Sequence, residues 1–295
     1  MSYFPGTRGG RDSAVSAGLG FSNMRHRSPA AILFVIIVAA AASLVTAPVS
    51  ADPAGDELAN RVYNRPGGND LAGRALMSLQ QPGQPERVRR LYTYARQNER
   101  KDNWGLLRFV APADIADTGL LSISLANGEE DQWVYLPALK RSRRIPTNRK
   151  GGRFVGSDFF YEDLQDRRPN RYEHRILGKE SLDGTPATVL ESSPKERSES
   201  VYRKIVSWIH EGILLPVRTD YYEDSPDKPS KRFQMYRVEQ VQGYWTVMDS
   251  VMIDLRSGQQ TRLVTEQVKY DQGIPEDFFS SRTLENPQAG QQYNP

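Results

Sequence analysis

The sequence predicts a mainly β protein with a few short helices (α+β), built as an antiparallel meander that curls into a barrel or half-barrel. From about residue 88 onward, runs of strand composition follow one another without a helical segment between them. Tight-turn residues separate these runs, and hairpins of this kind join antiparallel neighbours. A meander of many long strands curls because its strands twist.

Five residue pairs with glycine in second place predict the hairpin turns, because glycine tolerates the positive φ that such turns need. They are Asn127-Gly128, Asp183-Gly184, Glu211-Gly212, Gln242-Gly243 and Ser257-Gly258. Between residues 245 and 255 apolar residues alternate with mixed ones, so one face of that strand is apolar. The sequence leaves open which face looks into the protein.

The two ends of the mature chain differ from the meander. Residues 52–80 are expected to form two short helices around the turn "NRPGGND" (64–70). "IPEDFF" (274–279) predicts a short helical turn, and residues 282–295 predict a flexible polar tail. No repeat or linker divides residues 52–295, so we expect a single domain there.

Residues 1–51 have the layout of a secretory signal. Arg25 and Arg27 precede an unbroken apolar run, and Val49 and Ala51 are the small residues that a signal peptidase reads. We expect cleavage between Ala51 and Asp52 and a mature protein in the periplasm.

Two alternatives remain open for this N-terminal segment. Met24 is a candidate true start, because starting there gives a compact signal. An uncleaved membrane anchor is the other alternative, since the apolar segment extends as far as Ala47 and approaches the length that spans a bilayer.

Charge and cysteine content exclude some classes of function. The full chain has a formal net charge of +3, but residues 1–51 hold four arginines against Asp12, so removing them leaves 35 basic and 35 acidic residues out of 39 and 36. The basic balance is therefore not evidence for a nucleic-acid partner. Cysteine is absent, which excludes disulfides and the lipid attachment of a bacterial lipoprotein.

Recognisable catalytic motifs are absent from the sequence. It contains no HExxH, CxxC, Walker-type loop or GxSxG, and the mature part has two histidines, His174 and His210. A single strand histidine is more often a surface residue than a metal ligand. We therefore expect no enzyme, no metal site and no cofactor.

The stretch "RFVGSDFFYEDL" (153–164) is the one place where acids cluster with aromatic residues. Asp158, Glu162 and Asp163 could form an acid/base site. Adjacent Glu162 and Asp163 would point to opposite sides of a strand, so we favour carboxylates that cap turns or pair with nearby arginines.

A basic run lies just upstream, with seven Lys or Arg between Lys140 and Arg153. In an exported protein such a run fits anionic head groups or an acidic face of a membrane partner. The alternative is that these arginines pair with the acids of residues 158–166.

The stretch "DQWVYLPALKRSRRIPTNRKGGRFVGSDFFYEDL" (131–164) resembles the signature segment of the exported outer-membrane lipoprotein-sorting proteins of the LolA-like superfamily. "LLRFVAPADIADTGLLSIS" and "WIHEGILLPVRTDYYE" also resemble it, and the similarity covers roughly residues 70–280. The resemblance implies a curved antiparallel sheet, an unclosed barrel, with helices covering its concave face. It also implies a carrier of lipid or lipoprotein acyl chains, with an exporter of the resistance-nodulation-division (RND, MmpL-like) type as a candidate membrane partner.

This implied function assigns candidate residues, each of which is also a candidate for the plain core. The candidates for lining a lipid cavity are Trp133, Tyr135, Leu136, Trp208, Trp245, Met248 and Met252. The candidates for the cavity rim or for partner docking are Lys140, Arg141, Arg143, Arg144, Phe154, Asp158, Phe159 and Tyr161.

Three classes of function compete on this sequence. The leading expectation is a periplasmic carrier, monomeric, that binds acyl chains and no nucleic acid. The second is an accessory subunit that docks on a membrane exporter and carries nothing. The third is a cell-envelope hydrolase, for which the sequence offers no recognisable set of polar groups.

Overall fold

The computed structural model describes residues 52–295, so the predicted signal segment and its start and cleavage sites lie outside the described residues. Residues 52–295 form two α-helices and thirteen strands. The helices are α1 Pro53–Tyr63 and α2 Ser281–Leu284. The strands are β1 Asp70–Gln80, β2 Arg87–Gln97, β3 Asn103–Ala111, β4 Gly119–Ser124, β5 Glu130–Leu136, β6 Arg141–Arg144, β7 Tyr172–Leu182, β8 Thr185–Pro194, β9 Lys204–His210, β10 Leu215–Tyr222, β11 Lys231–Val241, β12 Tyr244–Asp254 and β13 Gln260–Tyr270.

All thirteen strands belong to one antiparallel sheet in the order β6-β5-β4-β3-β2-β1-β13-β12-β11-β10-β9-β8-β7. Consecutive strands of the chain pair with one another everywhere except at β6 and β7, and the first and last strands, β1 and β13, also pair. The two edges are β6 and β7, which follow one another in the chain but do not pair. The predicted antiparallel meander is confirmed, and it is an unclosed barrel.

The five predicted turns are confirmed, because each joins two strands that pair with one another. At Asp183-Gly184 the φ angles are 49° and 81°, and at Gln242-Gly243 they are 52° and 87°. Positive φ at both central residues is the turn geometry that matches the twist of paired strands.

The N-terminal prediction is right for the first helix and wrong for the second, because residues 70–80 form strand β1. This strand lies between β13 and β2, and from Arg74 onward its burial alternates, with Ala75, Met77 and Leu79 on the buried face. Over a short run, the apolar residues of this segment fit one face of a helix as well as they fit a strand. Pairing with β13 and β2 decides for the strand.

Helix α1 is capped and tied to the sheet at its first residues. Asp52 accepts a hydrogen bond from the backbone of Ala54 and another, of 2.8 Å, from the backbone of Ile176 in β7. Gly55 permits this approach, since a Cβ there would lie 2.9 Å from the backbone of His174. Within residues 52–295, neither helix is long and apolar enough to cross a membrane.

The sheet is strongly curved. Eight positions separate β4 from β9 in the sheet order, and at about 4.8 Å per strand a flat sheet would hold them roughly 38 Å apart. Leu120 of β4 and Ile205 of β9 nevertheless belong to one hydrophobic cluster. The sheet therefore wraps around the residues that lie between them on its concave face.

The connection from β6 to β7, residues 145–171, fills much of this concave face and is called the plug segment below. Phe154, Phe159 and Phe160 of the plug belong to the cluster that joins β4 to β9. Helix α1 covers the concave face at the other end, where Leu58 and Ala59 pack on Leu190 and Ile209. The concave face is thus covered by one helix and an irregular segment, whereas the resemblance found in the sequence implied helices alone.

The outer face of the sheet has its own cover near the C-terminus. Phe278 and Phe279 of the predicted helical turn, which forms as a 3₁₀ turn, pack with Tyr94 and Trp104. Helix α2 lies on the same face, where Leu284 packs against Gly119. The residues after α2 also pack, with Tyr293 against Phe278. The flexibility of residues 282–295 stays a prediction.

Candidate functional site

An apolar cavity of about 330 Å³ lies between helix α1, the plug segment and the concave face of β7 to β12. Its size falls at the lower end of the roughly 300–1,000 Å³ that small-molecule pockets occupy. Every one of these elements contributes at least one side chain to its wall. The cavity therefore exists only because the sheet curves and the plug and helix stop short of filling the concave face.

Most of the cavity wall is apolar. Strands β8, β9, β11 and β12 present aliphatic, aromatic and thioether side chains on the concave face. Helix α1 and the plug line the cavity on the side opposite the sheet. The apolar lining residues are Ala59, Val62, Phe159, Leu190, Ile209, Phe233 and Met252. Burial of an alkyl chain on such a surface is favourable by about 0.8 kcal/mol for each methylene group that leaves water.

One part of the wall is polar and carries a positive charge. The guanidinium carbon of Arg167 in the plug lies 5.5 Å from the centre of the Tyr221 ring in β10. Tyr172 of β7 lines the cavity beside them. Burial raises the pKa of Tyr221 to about 12, and the charge of Arg167 opposes that rise.

His174 also lines the cavity, but both of its ring nitrogens are engaged. Nδ1 lies 2.8 Å from the Ser192 hydroxyl and Nε2 lies 3.0 Å from the Pro169 carbonyl oxygen. Burial lowers the pKa of the imidazole below its ordinary value. His174 is therefore neutral at neutral pH, and it links β7 and β8 to the plug. No cluster of side chains suited to a metal ion occurs among residues 52–295.

Asp163 holds the plug to the floor of the site. Its carboxylate forms an ion pair with Lys231 of β11 and accepts hydrogen bonds of 2.7 Å from the backbone of Phe160 and from the Tyr202 hydroxyl. The Lys231 ammonium also lies 3.6 Å from the centre of the Phe160 ring. Burial lowers the pKa of Lys231, and the carboxylate of Asp163 opposes that effect.

Asp158 fixes the other side of the plug. It is fully buried and accepts a 2.7 Å hydrogen bond from the Thr261 hydroxyl, while its own backbone N–H donates to the same hydroxyl at 2.9 Å. Arg153 forms ion pairs with both Asp158 and Asp254. The third acid, Glu162, accepts a 2.8 Å hydrogen bond from the backbone of Val201. All three acids of "RFVGSDFFYEDL" thus bind the plug to its surroundings.

The structure brings one of the seven predicted lining residues, Met252, to this cavity. Met248 lies on the same face of β12 and is buried, but it does not line the cavity. The other five are elsewhere because alternate residues of a strand point to opposite faces. Trp133 and Tyr135 pack on the outer face under the C-terminal segment, and Leu136 ends the same strand.

Two of the predicted tryptophans lie on the outer face near the opposite edge. Trp208 packs with Val189 and Val217, and its indole N–H donates a 2.7 Å hydrogen bond to Glu180. Trp245 is 38% exposed and lines an open groove on that face. Because Ile205 and Ile209 take the concave face of β9, Trp208 has to take the other.

The predicted rim residues separate into two groups. Lys140, Arg141, Arg143 and Arg144 are exposed around the edge strand β6, where Arg144 pairs with Asp131. The others lie in the plug beneath the surface. Phe154 and Asp158 are fully buried, Phe159 is nearly so and lines the cavity, and Tyr161 packs on Phe154. Of the seven basic residues, Arg153 is the one that pairs with the acids of residues 158–166.

The sequence analysis missed the residues that give this cavity its chemistry, namely Arg167, Tyr172 and Tyr221. Tyr172 begins β7 and Tyr221 lies near the end of β10, whereas Arg167 lies within the irregular plug segment. The alternation of Ile205, Ser207 and Ile209 is a signal that could have identified the concave face of β9. The packing of the plug against that face has no such signal.

Comparison with known proteins places this architecture in a family. A family model described only as that of an uncharacterised protein matches residues 101–286. A DUF1329 family protein from Desulfovibrio piger has 32% sequence identity over 78% of this chain and 98% of its own, with a TM-score of 0.73. This chain belongs to the DUF1329 family. No curated protein matches it.

Two further solved structures share the fold of this DUF1329 chain. A domain from Vibrio parahaemolyticus, described as an outer-membrane lipoprotein-sorting protein, shares 29% identity over 79% of this chain and 99% of its own, with a TM-score of 0.75. A LolA superfamily protein from Nitrosomonas europaea has 19% identity, a TM-score of 0.62, and coverage of 79% and 99%. The latter is a likeness of fold. The resemblance found in the sequence and the half-barrel fold are confirmed.

Proposed function

We propose that this DUF1329 protein is an exported periplasmic carrier that holds the acyl chains of a lipid or lipoprotein in its concave cavity. The observation that carries the proposal is the apolar cavity of about 330 Å³ between the sheet, α1 and the plug. A carrier needs such a surface because transfer of each methylene group from water to an apolar environment is favourable by about 0.8 kcal/mol. The description of the Vibrio relative as a lipoprotein-sorting protein supports the same role.

The proposed role is binding and not catalysis. Support comes from the polar groups closest to the cavity, which are engaged in holding the structure together. Asp163 is paired with Lys231, and His174 is bonded at both nitrogens. A general acid or base needs a side chain that is free to exchange a proton with substrate.

Native mass spectrometry of the protein purified from the periplasm, followed by organic extraction, tests the proposal. A lipid bound in stoichiometric amount would support it and would name the cargo. A protein that carries no lipid, and that also binds no lipid added afterwards, would contradict it. The mass of the purified protein also tests the predicted cleavage after Ala51.

A second candidate function is an accessory subunit that docks on an RND or MmpL-type exporter. The basic surface around β6 favours it, because Lys140, Arg141 and Arg143 are exposed and take part in no ion pair of residues 52–295. Lipid content discriminates between the two functions. A protein free of lipid that still binds a membrane partner through this surface would favour the accessory role.

A further inference from the structure

The strongest unexplained feature of the cavity is a positive charge on an otherwise apolar wall. Of the eighteen residues that line the cavity, two have basic side chains, Arg167 and His174. Since both nitrogens of His174 are engaged and burial lowers its pKa, Arg167 is the cation of this wall. A charge beside an apolar cavity is costly unless something pairs with it.

The neighbours of Arg167 are paired, whereas Arg167 is in none of the ion pairs of residues 52–295. Arg168 pairs with Asp166, Arg171 pairs with Glu130 and Glu199, and Lys231 pairs with Asp163. Burial lowers the pKa of Arg167, but the phenols of Tyr221 and Tyr172, followed by the carboxylates of Asp163 and Glu162, raise it above its ordinary value. Arg167 therefore stays charged.

Those two nearby carboxylates stabilise the positive charge of Arg167 through space, but neither forms an ion pair with it. The oxygens of Asp163 are occupied by Lys231, Tyr202 and the backbone of Phe160. The oxygens of Glu162 accept hydrogen bonds from the Ser200 hydroxyl and the backbone of Val201. The hydrogen-bond partners of the Arg167 guanidinium are the phenol oxygens of Tyr172 and Tyr221. No carboxylate of residues 52–295 forms an ion pair with it, so a negative charge in the cavity would complete its pairing.

Two phenol hydroxyls accompany this guanidinium. No carboxylate of residues 52–295 accepts a hydrogen bond from Tyr172 or from Tyr221, in contrast to Tyr202, which donates to Asp163, and Tyr63, which donates to Asp166. Tyr221 is only 6% exposed. The Arg167 guanidinium lies 5.5 Å from the centre of the Tyr221 ring, and all three side chains line the same cavity. The charge of Arg167 accordingly opposes the burial-induced rise in pKa at both tyrosines.

The remaining polar side chains of the wall are satisfied among themselves. The hydroxyls of Ser207 and Thr219 lie 3.1 Å apart, and Ser192 is bonded to His174. The cavity thus combines an apolar body with one cationic cluster that no carboxylate pairs with, namely Arg167, Tyr172 and Tyr221, which we call the anion-binding cluster.

We infer that the cavity binds a single-chain amphiphile whose carboxylate head pairs with Arg167, Tyr172 and Tyr221 and whose alkyl tail lies on Leu190, Ile209 and Met252. A guanidinium presents two parallel N–H donors that match a carboxylate. One cation suits one negative charge, and a volume of about 330 Å³ suits one chain and not several. The inference rests on the proposed carrier function and names the ligand class.

The test compares two probes that differ in the head group alone, dodecanoate and dodecanol. Each displaces an uncharged fluorescent naphthylamine from the delipidated protein, which gives its affinity. Wild type should bind dodecanoate more tightly than dodecanol. Arg167→Gln should weaken the affinity for dodecanoate at least about tenfold, while the affinity for dodecanol should change little. Arg167→Lys, which keeps the charge, should retain part of the preference. Arg143→Gln removes an exposed charge outside the cavity and serves as the matched control.

The outcomes separate the inference from the function on which it rests. Equal affinity for both probes in wild type, or an unchanged preference in Arg167→Gln, overturns the carboxylate site and leaves the carrier standing. Failure of wild type to bind either probe overturns both. If Arg167→Gln is unfolded by circular dichroism, Tyr221→Phe decides, because it removes one donor from the same cluster and should lower the preference for dodecanoate.

Discussion

Lys231 of β11 and Asp163 of the plug segment form an ion pair whose side chains are 0% and 2% exposed. The pair joins an irregular segment to the middle of the curved sheet, directly beside the cavity that both Asp163 and Phe233 line. The position of the plug therefore depends on a contact between two residues that are 68 positions apart in the chain. The shape of the cavity depends on the same contact.

Lys231→Met should destabilise the fold by about 3–5 kcal/mol, because it leaves the Asp163 carboxylate buried without its cation. The double variant Lys231→Met with Asp163→Asn should recover much of that loss, since no buried charge remains. Urea unfolding measures both free energies. Arg237→Gln is the control, because the Arg237–Glu239 pair is largely exposed and should cost less than about 1 kcal/mol. Equal costs for the buried and the exposed pair would contradict this assignment.

Asp158→Asn should lower stability by about 1–3 kcal/mol and leave lipid loading unchanged in the folded protein. The reason is that Asp158 is fully buried, pairs with Arg153 and accepts from Thr261, yet does not line the cavity. Thermal unfolding and lipid extraction measure the two effects, with the exposed Asp227→Asn as the control. Loss of lipid at unchanged stability would show that Asp158 contributes to the site directly.

The free energy of unfolding should fall as the pH drops through and below about 6.5, in part because of His174. Burial of this imidazole lowers its pKa from the ordinary 6.5, so the unfolded chain binds the proton more tightly than the folded one. Its contribution is therefore present above that pH and is lost on acidification toward the folded pKa. The stability difference between wild type and His174→Gln, from urea titrations at about pH 8 and about pH 5, should shrink at the lower pH. A constant difference would exclude this titration.

Val62→Trp should reduce lipid loading several-fold, because Val62 of α1 faces the cavity and a larger ring would occupy part of its volume. Glu57→Trp places the same residue on the exposed side of the same helix and should load like wild type. Lipid per protein, measured after extraction, gives the comparison. Equal loading of the two variants would indicate that the ligand binds outside the concave cavity.

Reversing charge at the edge strand should weaken association with anionic membranes. Arg141 and Arg143 are exposed and in no ion pair of the described residues, and each basic residue near such a surface contributes about 1 kcal/mol. The double variant Arg141→Glu with Arg143→Glu should therefore bind phosphatidylglycerol vesicles at least about 30-fold more weakly. Co-sedimentation with the vesicles measures this affinity. Lys228→Glu with Arg282→Glu reverses the same number of charges elsewhere. Equal losses in both double variants would indicate a general effect of net charge.

The sequence predicted those elements whose causes are local. The glycine pairs at 128, 184, 212, 243 and 258 each mark a hairpin that joins two paired strands. Four of these glycines have the positive φ that a tight turn needs, whereas in the turn at 212 the positive φ is at Leu214. The 131–164 stretch also identified the superfamily. The helix predicted around Leu76 is wrong because β1 pairs with β2 and with β13, and β13 is almost 200 residues away in the chain.

The sequence by itself determined the class of fold and the order of the hairpins, since those follow from turn chemistry and local pattern, and its 131–164 stretch carried the resemblance to the LolA-like superfamily. Only the tertiary structure decided where the cavity lies and what lines it. Curvature brings β4 and β9 to one cluster, the plug crosses between the two open edges, and Arg167 meets Tyr172 and Tyr221 there. Such contacts depend on which of two strand faces turns inward and on where an irregular segment comes to rest, and both are settled by packing over the whole sheet.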